Sequence, residues 1–312
     1  MGEACCIGLD LGGTHLRAGW VDAQGLLSGF FKCGSRASED AEAPLTVMTE
    51  AVERLVARAP DPVLGVGLGS PGMIDPETGR QTGRTPHMPH WSDFPLRDRL
   101  SARLGLPVFI DNDANLAALA EDRCGAARGA RVSITVTVGT GVGCGIVVDG
   151  HVFRGAMGGA GEIGHLPLGD GTLACRCGVE HCVEPEMSGS GLSRRAATLG
   201  LGPADAAEIF ASAREGGVPA TDLIAHFGDR LGLAIATAVN LLNPDVVVIG
   251  GGVAEAGEAL FDRVRAAVAR YALESHRRRL TIVPARLGER SGVVGAGLAA
   301  WEVFGALRAT GA

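Results

Sequence analysis

Aromatic residues, clusters of basic residues and long apolar segments are scarce or missing in this chain of 312 residues. Aromatics make up 4% of the chain whereas 48 residues are glycine, so loops and close backbone approaches should matter more than aromatic stacking. The net charge is −7 and no run of about five basic residues occurs, which argues against a nucleic-acid-binding protein. We therefore expect a small-molecule partner.

Signals for export or membrane insertion are also missing. The N-terminal segment lacks the basic start and the apolar core of a signal peptide. The chain contains no run of about 18 apolar residues, which is the length needed to span a bilayer. The expectation is a cytoplasmic protein with reduced thiols, a compartment that suits cysteine-bound metal better than disulfides.

Two common nucleotide-binding motifs are missing as well. No Gly-Lys-Ser/Thr sequence of a P-loop occurs. The glycine-rich run Gly139–Gly143 leads into a second strand rather than a helix, so it does not match the dinucleotide-binding fingerprint. These absences disfavour nicotinamide chemistry.

What the chain does contain is a dense group of metal ligands. His165, Cys175, Cys177 and Cys182 lie within eighteen residues and supply one imidazole and three thiolates. This closed tetrahedral set is typical of structural Zn²⁺, which holds a loop in place and leaves no coordination position for a reacting water. His181 is an alternative ligand, but it is so near Cys182 in sequence that both would have difficulty reaching one ion. The other cysteines are interpreted as ordinary buried thiols.

Two glutamates accompany these ligands. Glu162 and Glu184 could simply be exposed charges, but a metal that fixes the loop would also fix their carboxylates. Anchored carboxylates accept hydrogen bonds from sugar hydroxyls. The combination indicates a polyol or sugar substrate.

The pattern of strands predicts an α/β protein built from two similar halves. Strands Cys5–Leu9 and Leu16–Val21 flank a glycine-rich tip with Asp10 and Thr14, and a second hairpin has Thr140 in its tip. Backbone N–H groups and threonine hydroxyls at such tips suit phosphate oxygens, and Asp10 would hold a hydrated Mg²⁺. Either tip alone could be a purely structural turn.

Asp113 is the candidate general base. It follows a short predicted strand and opens an alanine-rich helix in the sequence DNDAN at 111–115. Phosphoryl transfer needs positioning, charge neutralisation and one carboxylate that accepts the proton of the attacking hydroxyl. The alternative explanation is a helix N-cap, although Asp111 or Asn112 could supply the cap instead.

With these residues assembled, the chain resembles the ROK family of sugar kinases and sugar-responsive repressors over essentially its whole length. The motifs that carry the resemblance are IGLDLGGT at 7–14, SPG at 70–72, DNDAN at 111–115, VGTGVG at 138–143, GAGEIGH at 159–165, CRCGVEHCVE at 175–184, MSG at 187–189 and NPDVVVIGGG at 243–252.

The resemblance implies a two-lobed fold similar to the actin, hexokinase and Hsp70 group, with ATP and a hexose meeting in the cleft between lobes. It implies an N-terminal lobe of residues 1–115 completed by a C-terminal helix at about 296–312, and a larger lobe of residues 116–295. Oligomerisation, as a homodimer or larger, is also implied.

The family's functional residues are carried over position by position. Asp113 resembles the catalytic base. The sugar ligands implied are Gly72, Asn112, Asp113, Glu162, His165 and Glu184. The implied ATP ligands are Asp10, Gly12, Gly13, Thr14, Thr140, Gly141, Gly251 and Gly252.

Some positions depart from the family pattern. His15 stands where many members have lysine, and His181 replaces the usual glycine of the cysteine-rich motif. His87 and His90 alter a loop near the expected sugar entrance. Glucose is the first expectation for the substrate, with N-acetylmannosamine, N-acetylglucosamine, allose and fructose as alternatives. HLPLGD at 165–170 resembles the allose-kinase branch.

The alternatives from other classes are a repressor, a non-catalytic sugar sensor and an actin-fold ATPase that acts on proteins. Repressor relatives carry a DNA-binding module before the first phosphate-loop strand, which here begins near Met1. A silent sensor is expected to lose the base or the phosphate loops, and both are retained. The zinc loop and its carboxylates argue against the protein-directed ATPase.

Overall fold

A computed structural model describes residues 4–85, 88–201 and 204–310 of the chain. Its contacts separate two compact units. The first unit comprises residues 1–128, 150–160 and 289–312 within those limits, and the second comprises residues 129–149 and 161–288. No helix in these described ranges is both long and apolar enough to cross a membrane.

The strands of the described residues are β1 (Cys5–Leu11), β2 (His15–Val21), β3 (Leu27–Gly34), β4 (Val63–Ser70), β5 (Met73–Ile74), β6 (Gln81–Thr85), β7 (Met88–Phe94), β8 (Val108–Asn112), β9 (Val132–Val138), β10 (Val142–Val148), β11 (His151–Val152), β12 (Val246–Gly250) and β13 (Thr281–Pro284). The helices are α1 (Ala43–Val56), α2 (Leu96–Leu104), α3 (Asp113–Cys124), α4 (Glu184–Met187), α5 (Gly189–Thr198), α6 (Ala206–Arg214), α7 (Val218–Leu242), α8 (Glu258–Tyr271), α9 (Glu274–Arg277) and α10 (Ser291–Thr310).

The first unit is built on a sheet of order β3-β2-β1-β4-β8. β1 pairs with β2 in antiparallel register and with β4 in parallel register, and β4 is parallel to β8. The central strands β1 and β4 are almost wholly buried because helices cover them. The carboxyl ends of β1, β4 and β8 therefore lie along one edge of the sheet, where polar side chains of α/β proteins collect.

Helix α10 packs unusually close to this sheet. A Cβ atom at Gly8 would lie 2.1 Å from the backbone oxygen of Val293, and one at Gly67 would lie 1.8 Å from that of Ala296. Gly295 makes a similar approach to the backbone of Leu116 in α3. Glycine is needed at these positions because any side chain would force the elements apart.

A small three-stranded sheet of order β5-β6-β7 also belongs to the first unit. Trp91 of β7 is buried, stacks on Phe94 with ring centroids 4.8 Å apart, and donates its indole N–H to the backbone oxygen of Ala41 at 3.0 Å. This aromatic pair anchors the segment that follows residues 86 and 87.

The second unit has a sheet in which β10, β9, β12 and β13 are neighbours in that order. β9 is antiparallel to β10 and parallel to β12, the same arrangement as β1 with β2 and β4. Its core is formed by the strands together with α7 and α8, and Phe227 and Leu231 of α7 are at most 1% exposed. The long helix α7 therefore forms part of the core of this unit.

The structure differs from the sequence prediction at three elements. His90 was expected in a loop, but it lies in β7, which pairs with β6. β3 was not predicted, because its residues are only half-buried and do not form an apolar run. The closing helix begins at Ser291, earlier than the predicted start near residue 296. Its early glycines suggested a loop, but they lie inside α10 and permit the close packing described above.

Candidate active site

The junction between β8 and α3 carries the predicted general base. The side-chain oxygen of Asn112 accepts hydrogen bonds from the N–H groups of Ala114 (2.9 Å) and Asn115 (3.3 Å), so Asn112 is the N-cap of α3. Asp113 is the first helical residue and is half-buried, and its carboxylate accepts the N–H of Ala114 at 2.8 Å. The cap, the alternative explanation for Asp113, is thus supplied by its neighbour.

A buried ion pair fixes the residue before this cap. Asp111 is 3% exposed and accepts the Nε–H of Arg154 at 2.8 Å. Its other oxygen accepts the side-chain amide of Asn115 at 3.0 Å and the backbone N–H of Asn112 at 2.7 Å. Nothing in the sequence indicated Arg154, because it belongs to none of the motifs.

Gly72 lies beside the same junction. Asn112 donates its side-chain N–H to the backbone oxygen of Gly72 at 3.0 Å. Gly72 has φ of +88°, a conformation that favours glycine, and a Cβ there would contact Thr85 and the buried side chain of Gln81. Gly72, Asn112 and Asp113 are therefore brought together at one place in the first unit.

Asp10 lies at the end of β1 opposite Arg17 of β2, whose guanidinium donates to it at 3.3 Å. Burial and the charge of Asp113 raise the pKa of Asp10 to about 6, and Arg17 partly opposes them. The first turn of α10 also borders this carboxylate, since a Cβ at Gly292 would lie 2.6 Å from its Cγ. Asp10 and Asp113 thus form a pair of neighbouring carboxylates.

The tip between β1 and β2 is a tight turn with an open surface. Gly12 donates its N–H to the backbone oxygen of His15 at 2.8 Å. Gly13 and Thr14 are exposed, and His15 is half-buried. The residues at the end of this tip are therefore exposed, and its role as a phosphate-binding turn stays a prediction.

In the second unit the predicted zinc ligands converge. One donor atom from each of His165, Cys175, Cys177 and Cys182 lies within 4.8 Å of the others. The Sγ of Cys175 is 3.8 Å from Nδ1 of His165, and the Sγ atoms of Cys177 and Cys182 are 3.5 Å apart. Tetrahedral zinc with Zn–S bonds of about 2.3 Å requires ligand separations of about 3.8 Å. The donor set therefore fits a zinc ion in both chemistry and spacing.

The predicted sugar-binding carboxylates adjoin this cluster. Oε2 of Glu162 is 3.6 Å from Nε2 of His165, the ring nitrogen opposite the one that faces the sulfurs. Glu184 begins α4, and its oxygens lie 3.9 Å from the Sγ of Cys175 and 3.4 Å from the N–H of Val142. Partial burial and the charge of Glu184 raise the pKa of Glu162, while the His165 ring lowers it. These three side chains form one polar cluster.

The tip between β9 and β10 is held by the start of α5. Gly189 donates its N–H to the oxygen of Gly139 at 2.8 Å, and the hydroxyl of Ser190 donates to the oxygen of Thr140 at 2.7 Å. Gly141 closes the turn by accepting the N–H of Gly139 at 3.0 Å. The side chain of Thr140 is exposed.

The glycines that follow β12 meet different requirements. Gly251 has φ of +81°, and a Cβ there would lie 2.3 Å from the backbone oxygen of Val138. Gly252 has open space where a Cβ would be, so packing does not explain this glycine. Open backbone at this position is compatible with the predicted adenosine contact.

The histidines that depart from the family pattern have different surroundings. His181 has φ of +58°, the left-handed conformation that explains why glycine is usual at its position. Its ring occupies the space that a Cβ at Gly171 would need, with Cε1 2.8 Å away. His90 contacts the backbone oxygen of Ser38 at 3.2 Å, and His87 lies outside the described residues.

The sequence profile of the ROK family matches residues 6–302. The chain belongs to the ROK family. This ROK chain is similar to a glucokinase of Halalkalibacterium halodurans, with 33% identity over 321 aligned residues that cover 95% of each chain.

Solved structures agree with this membership. The chain is similar to the ROK hexokinase from Thermus thermophilus, with 37% identity, a TM-score of 0.83 and coverage of 99% of this chain and 100% of that one. It is also similar to a ROK family glucokinase from Streptomyces griseus in complex with glucose and AMPPNP, with 33% identity, a TM-score of 0.82 and coverage of 94% and 98%. The predicted fold class, that of the actin and hexokinase group, is confirmed.

The structure places the predicted site residues of this ROK protein in local clusters. Gly72, Asn112 and Asp113 with Asp10 lie at the strand ends of the first unit, and the zinc ligands with Glu162 and Glu184 lie together in the second. Sequence reasoning missed Arg154 and the buried Glu186, which are recognised only through the groups they contact.

Proposed function

We propose that this sugar kinase of the ROK family transfers the γ-phosphoryl group of ATP to glucose, with the 6-hydroxyl as acceptor. The observation that carries the proposal is the position of Asp113, a half-buried carboxylate at a strand end whose capping role is taken by Asn112. Similarity to glucokinases that align with 93–95% of the chain supports glucose as the hexose.

Asp113 acts as the general base in this proposal. Its carboxylate would accept the proton of the attacking sugar hydroxyl as the bond to phosphorus forms. The hydrogen bond from Ala114 and the cap at Asn112 hold the carboxylate in a defined orientation. A base held in this way loses little entropy when the substrate binds.

Mg²⁺ would be held by Asp10 together with phosphate oxygens of ATP. Magnesium is usually bound through one or two carboxylates plus substrate phosphates, and the neighbouring carboxylates of Asp10 and Asp113 fit that requirement. The ion would supply charge neutralisation. The turn at Gly12, Gly13 and Thr14, the tip at Thr140 and Gly141, and the backbone at Gly251 and Gly252 would contact the nucleotide.

Zinc would be held by His165, Cys175, Cys177 and Cys182, whose donor atoms fit the ion as described. It would supply a structural crosslink and no reacting water, because the four ligands close the site. His165 would face the metal with Nδ1 and leave Nε2 on the side of Glu162.

The hydroxyls of glucose would be bound by Glu162, His165 and Glu184, with Asn112 and the backbone of Gly72 as further ligands. Glutamate carboxylates and an imidazole nitrogen provide the acceptors that sugar hydroxyls need. The N-acetylated hexosamines, allose and fructose are the alternative substrates, and a sensor that binds sugar without turnover is the alternative function.

A coupled assay for ADP formation tests the proposal. Glucose, mannose, allose, fructose and the two N-acetylated hexosamines are compared with and without Mg²⁺, with the product position determined by NMR. We expect the highest kcat/KM with glucose and a strict need for Mg²⁺. A higher kcat/KM with another sugar would replace glucose as the substrate, and sugar binding without any turnover would favour the sensor.

A further inference from the structure

Glu186 is a buried carboxylate that has no role in the kinase mechanism proposed above. It lies on α4, two residues after Glu184, and its side chain is 2% exposed. Its oxygens contact the backbone N–H of Asp170, Nε2 of His226 at 3.1 Å and Nε of Arg230 at 2.8 Å. Burying a carboxylate costs desolvation free energy, and its partners offset that cost only when they are held in fixed positions around it.

A second metal site is not the explanation for this cluster, although Asp170, Glu186 and His226 have suitable donor atoms. Arg230 pairs with Glu186, and Arg195 pairs with Asp170 at 3.3 Å. Two guanidinium groups already neutralise the two carboxylates, so a cation there would gain little net attraction.

The contacts of Glu186 join the zinc loop, defined here as residues 166–183, to α7. His226 and Arg230 belong to α7, whose apolar face is part of the core of the second unit. Arg230 also donates to the backbone oxygen of Leu168 at 3.3 Å. A Cβ at Gly169 would lie 2.9 Å from Oε1 of Glu186, so the carboxylate lies directly against the loop backbone.

Outside these contacts the zinc loop is held by two arginines of α5, since Arg195 pairs with Asp170 at 3.3 Å and Arg194 donates to the backbone oxygen of Ala174 at 3.4 Å. Residues 174 and 176–181 are exposed, and the loop contributes few side chains to the core. Its base is closed by the backbone hydrogen bonds from Gly169 to His181 (2.8 Å) and from Val183 to Leu166 (3.1 Å). The metal ligands hold one side of the loop, and the Glu186 contacts hold the side that faces α7.

We propose that Glu186 is a positioning residue that fixes the zinc loop and Glu184 against α7. For its effect on sugar binding, this inference rests on the proposed role of Glu184 as a sugar ligand. Because Glu186 and Glu184 share one short helix, a shift of Glu186 would displace Glu184 and the ligand Cys175 beside it. Glu186 itself need not touch the substrate.

The test is the substitution Glu186→Gln, which keeps the shape of the side chain and removes its charge. Hydrogen exchange of amides in residues 166–183 is expected to become faster by about tenfold, while exchange in α7 and β9 stays unchanged. The KM for sugar is expected to rise about tenfold with a smaller change in kcat, since a displaced ligand weakens ground and transition states alike. The matched control is Glu258→Gln, which removes an exposed ion pair with Arg265 in the same unit.

Arg230→Lys is the second variant and keeps the positive charge while it loses the planar guanidinium contacts. It should increase exchange of the zinc loop less than Glu186→Gln does, and it keeps the inference testable if the first variant fails to fold. Unchanged exchange of residues 166–183 in a folded Glu186→Gln protein would overturn the inference even if the enzyme is a glucokinase. If the parent protein phosphorylates no hexose, the exchange experiment still decides the role of Glu186.

Discussion

The predicted base of the first unit lies on regular secondary structure, whereas most of the predicted zinc ligands of the second unit lie on a loop. Asp113 and Asn112 lie where a buried strand meets a helix, and the hydrogen bonds of the helix cap hold them there. Glu184 begins α4 directly after the zinc loop, so its position depends on the metal ligands and on the contacts of Glu186. The first cluster should therefore tolerate changes in its surroundings, and the second should be sensitive to them.

The two sheets make this contrast sharper because their central arrangement is the same. In each, a hairpin pairs antiparallel and its first strand runs parallel to the next strand of the sheet. The first hairpin carries a carboxylate, Asp10, two residues before its tip, and the second hairpin has Thr137 at the same position. The same arrangement of strands thus carries different functional groups, because a few residues near the strand ends differ.

The largest expected effect is that of Asp113→Asn in the first unit. The amide still accepts the N–H of Ala114 but is a poor base, so kcat should fall by about 100-fold to 10,000-fold with an unchanged fold. Steady-state kinetics and circular dichroism measure this. Asp122→Asn, on the same helix, is the control and should retain activity. Full turnover in Asp113→Asn would remove this residue from the mechanism.

Cys177→Ser should break the second cluster while leaving the first intact. Loss of one thiolate lowers zinc affinity and frees the zinc loop that precedes Glu184, so the KM for sugar should rise by at least about tenfold. Metal analysis and kinetics with glucose measure both effects. The control is Cys124→Ser in the first unit, which is expected to change neither. A zinc-free variant with normal sugar affinity would contradict the structural role of the metal.

Asp10→Asn separates stability from function in the first unit. The pKa of Asp10 is raised from 3.8 to about 6, so its ionised form is disfavoured in the folded protein. The cost of ionising Asp10 in the folded protein is absent below about pH 4, grows as the pH rises from about 4 to 6, and is complete above pH 6. The variant should gain stability relative to the parent between pH 4 and 7, by at most about 3 kcal/mol, and should lose Mg²⁺-dependent activity.

Thermal unfolding across that pH range measures the first effect, and the coupled assay measures the second. A variant that is less stable than the parent at pH 7 would show that the pair with Arg17 outweighs burial.

The smallest expected effect is that of His181→Gly in the zinc loop. Relief of the left-handed backbone should gain about 1 kcal/mol, and the flexibility of glycine in the unfolded chain should cost about half of that. Gly171→Ala is expected to destabilise the loop because its Cβ meets the His181 ring, and part of that cost should vanish in the double variant. Denaturant unfolding of the four proteins measures the coupling, and strict additivity would contradict the contact.

Much of the fold could be predicted from the sequence because long periodic segments carry a strong signal. The strands predicted at Cys5–Leu9 and Leu16–Val21 are observed at Cys5–Leu11 and His15–Val21. β3 could not be predicted, since a half-buried strand has no consistent apolar pattern. The boundary predicted between residues 115 and 116 stays a prediction.

For the site, spacing along the chain was sufficient where the residues are close in sequence. The zinc ligands span eighteen residues, and their convergence follows from that spacing. Arg154 and Glu186 could not be identified in this way, because their partners Asp111 and Arg230 lie more than 40 residues away. Such pairs depend on how the helices pack, which no local pattern encodes.

The close packing of α10 has a consequence for how the protein is made. The indole of Trp301 in α10 donates to the backbone oxygen of Val21, a contact between residues 280 positions apart. During synthesis β1 and β4 emerge early, but the helix that covers them is translated only after the whole second unit. Part of the apolar sheet of the first unit therefore stays uncovered until α10 has been synthesised. Residues 161–288, in contrast, can begin to fold as a continuous segment.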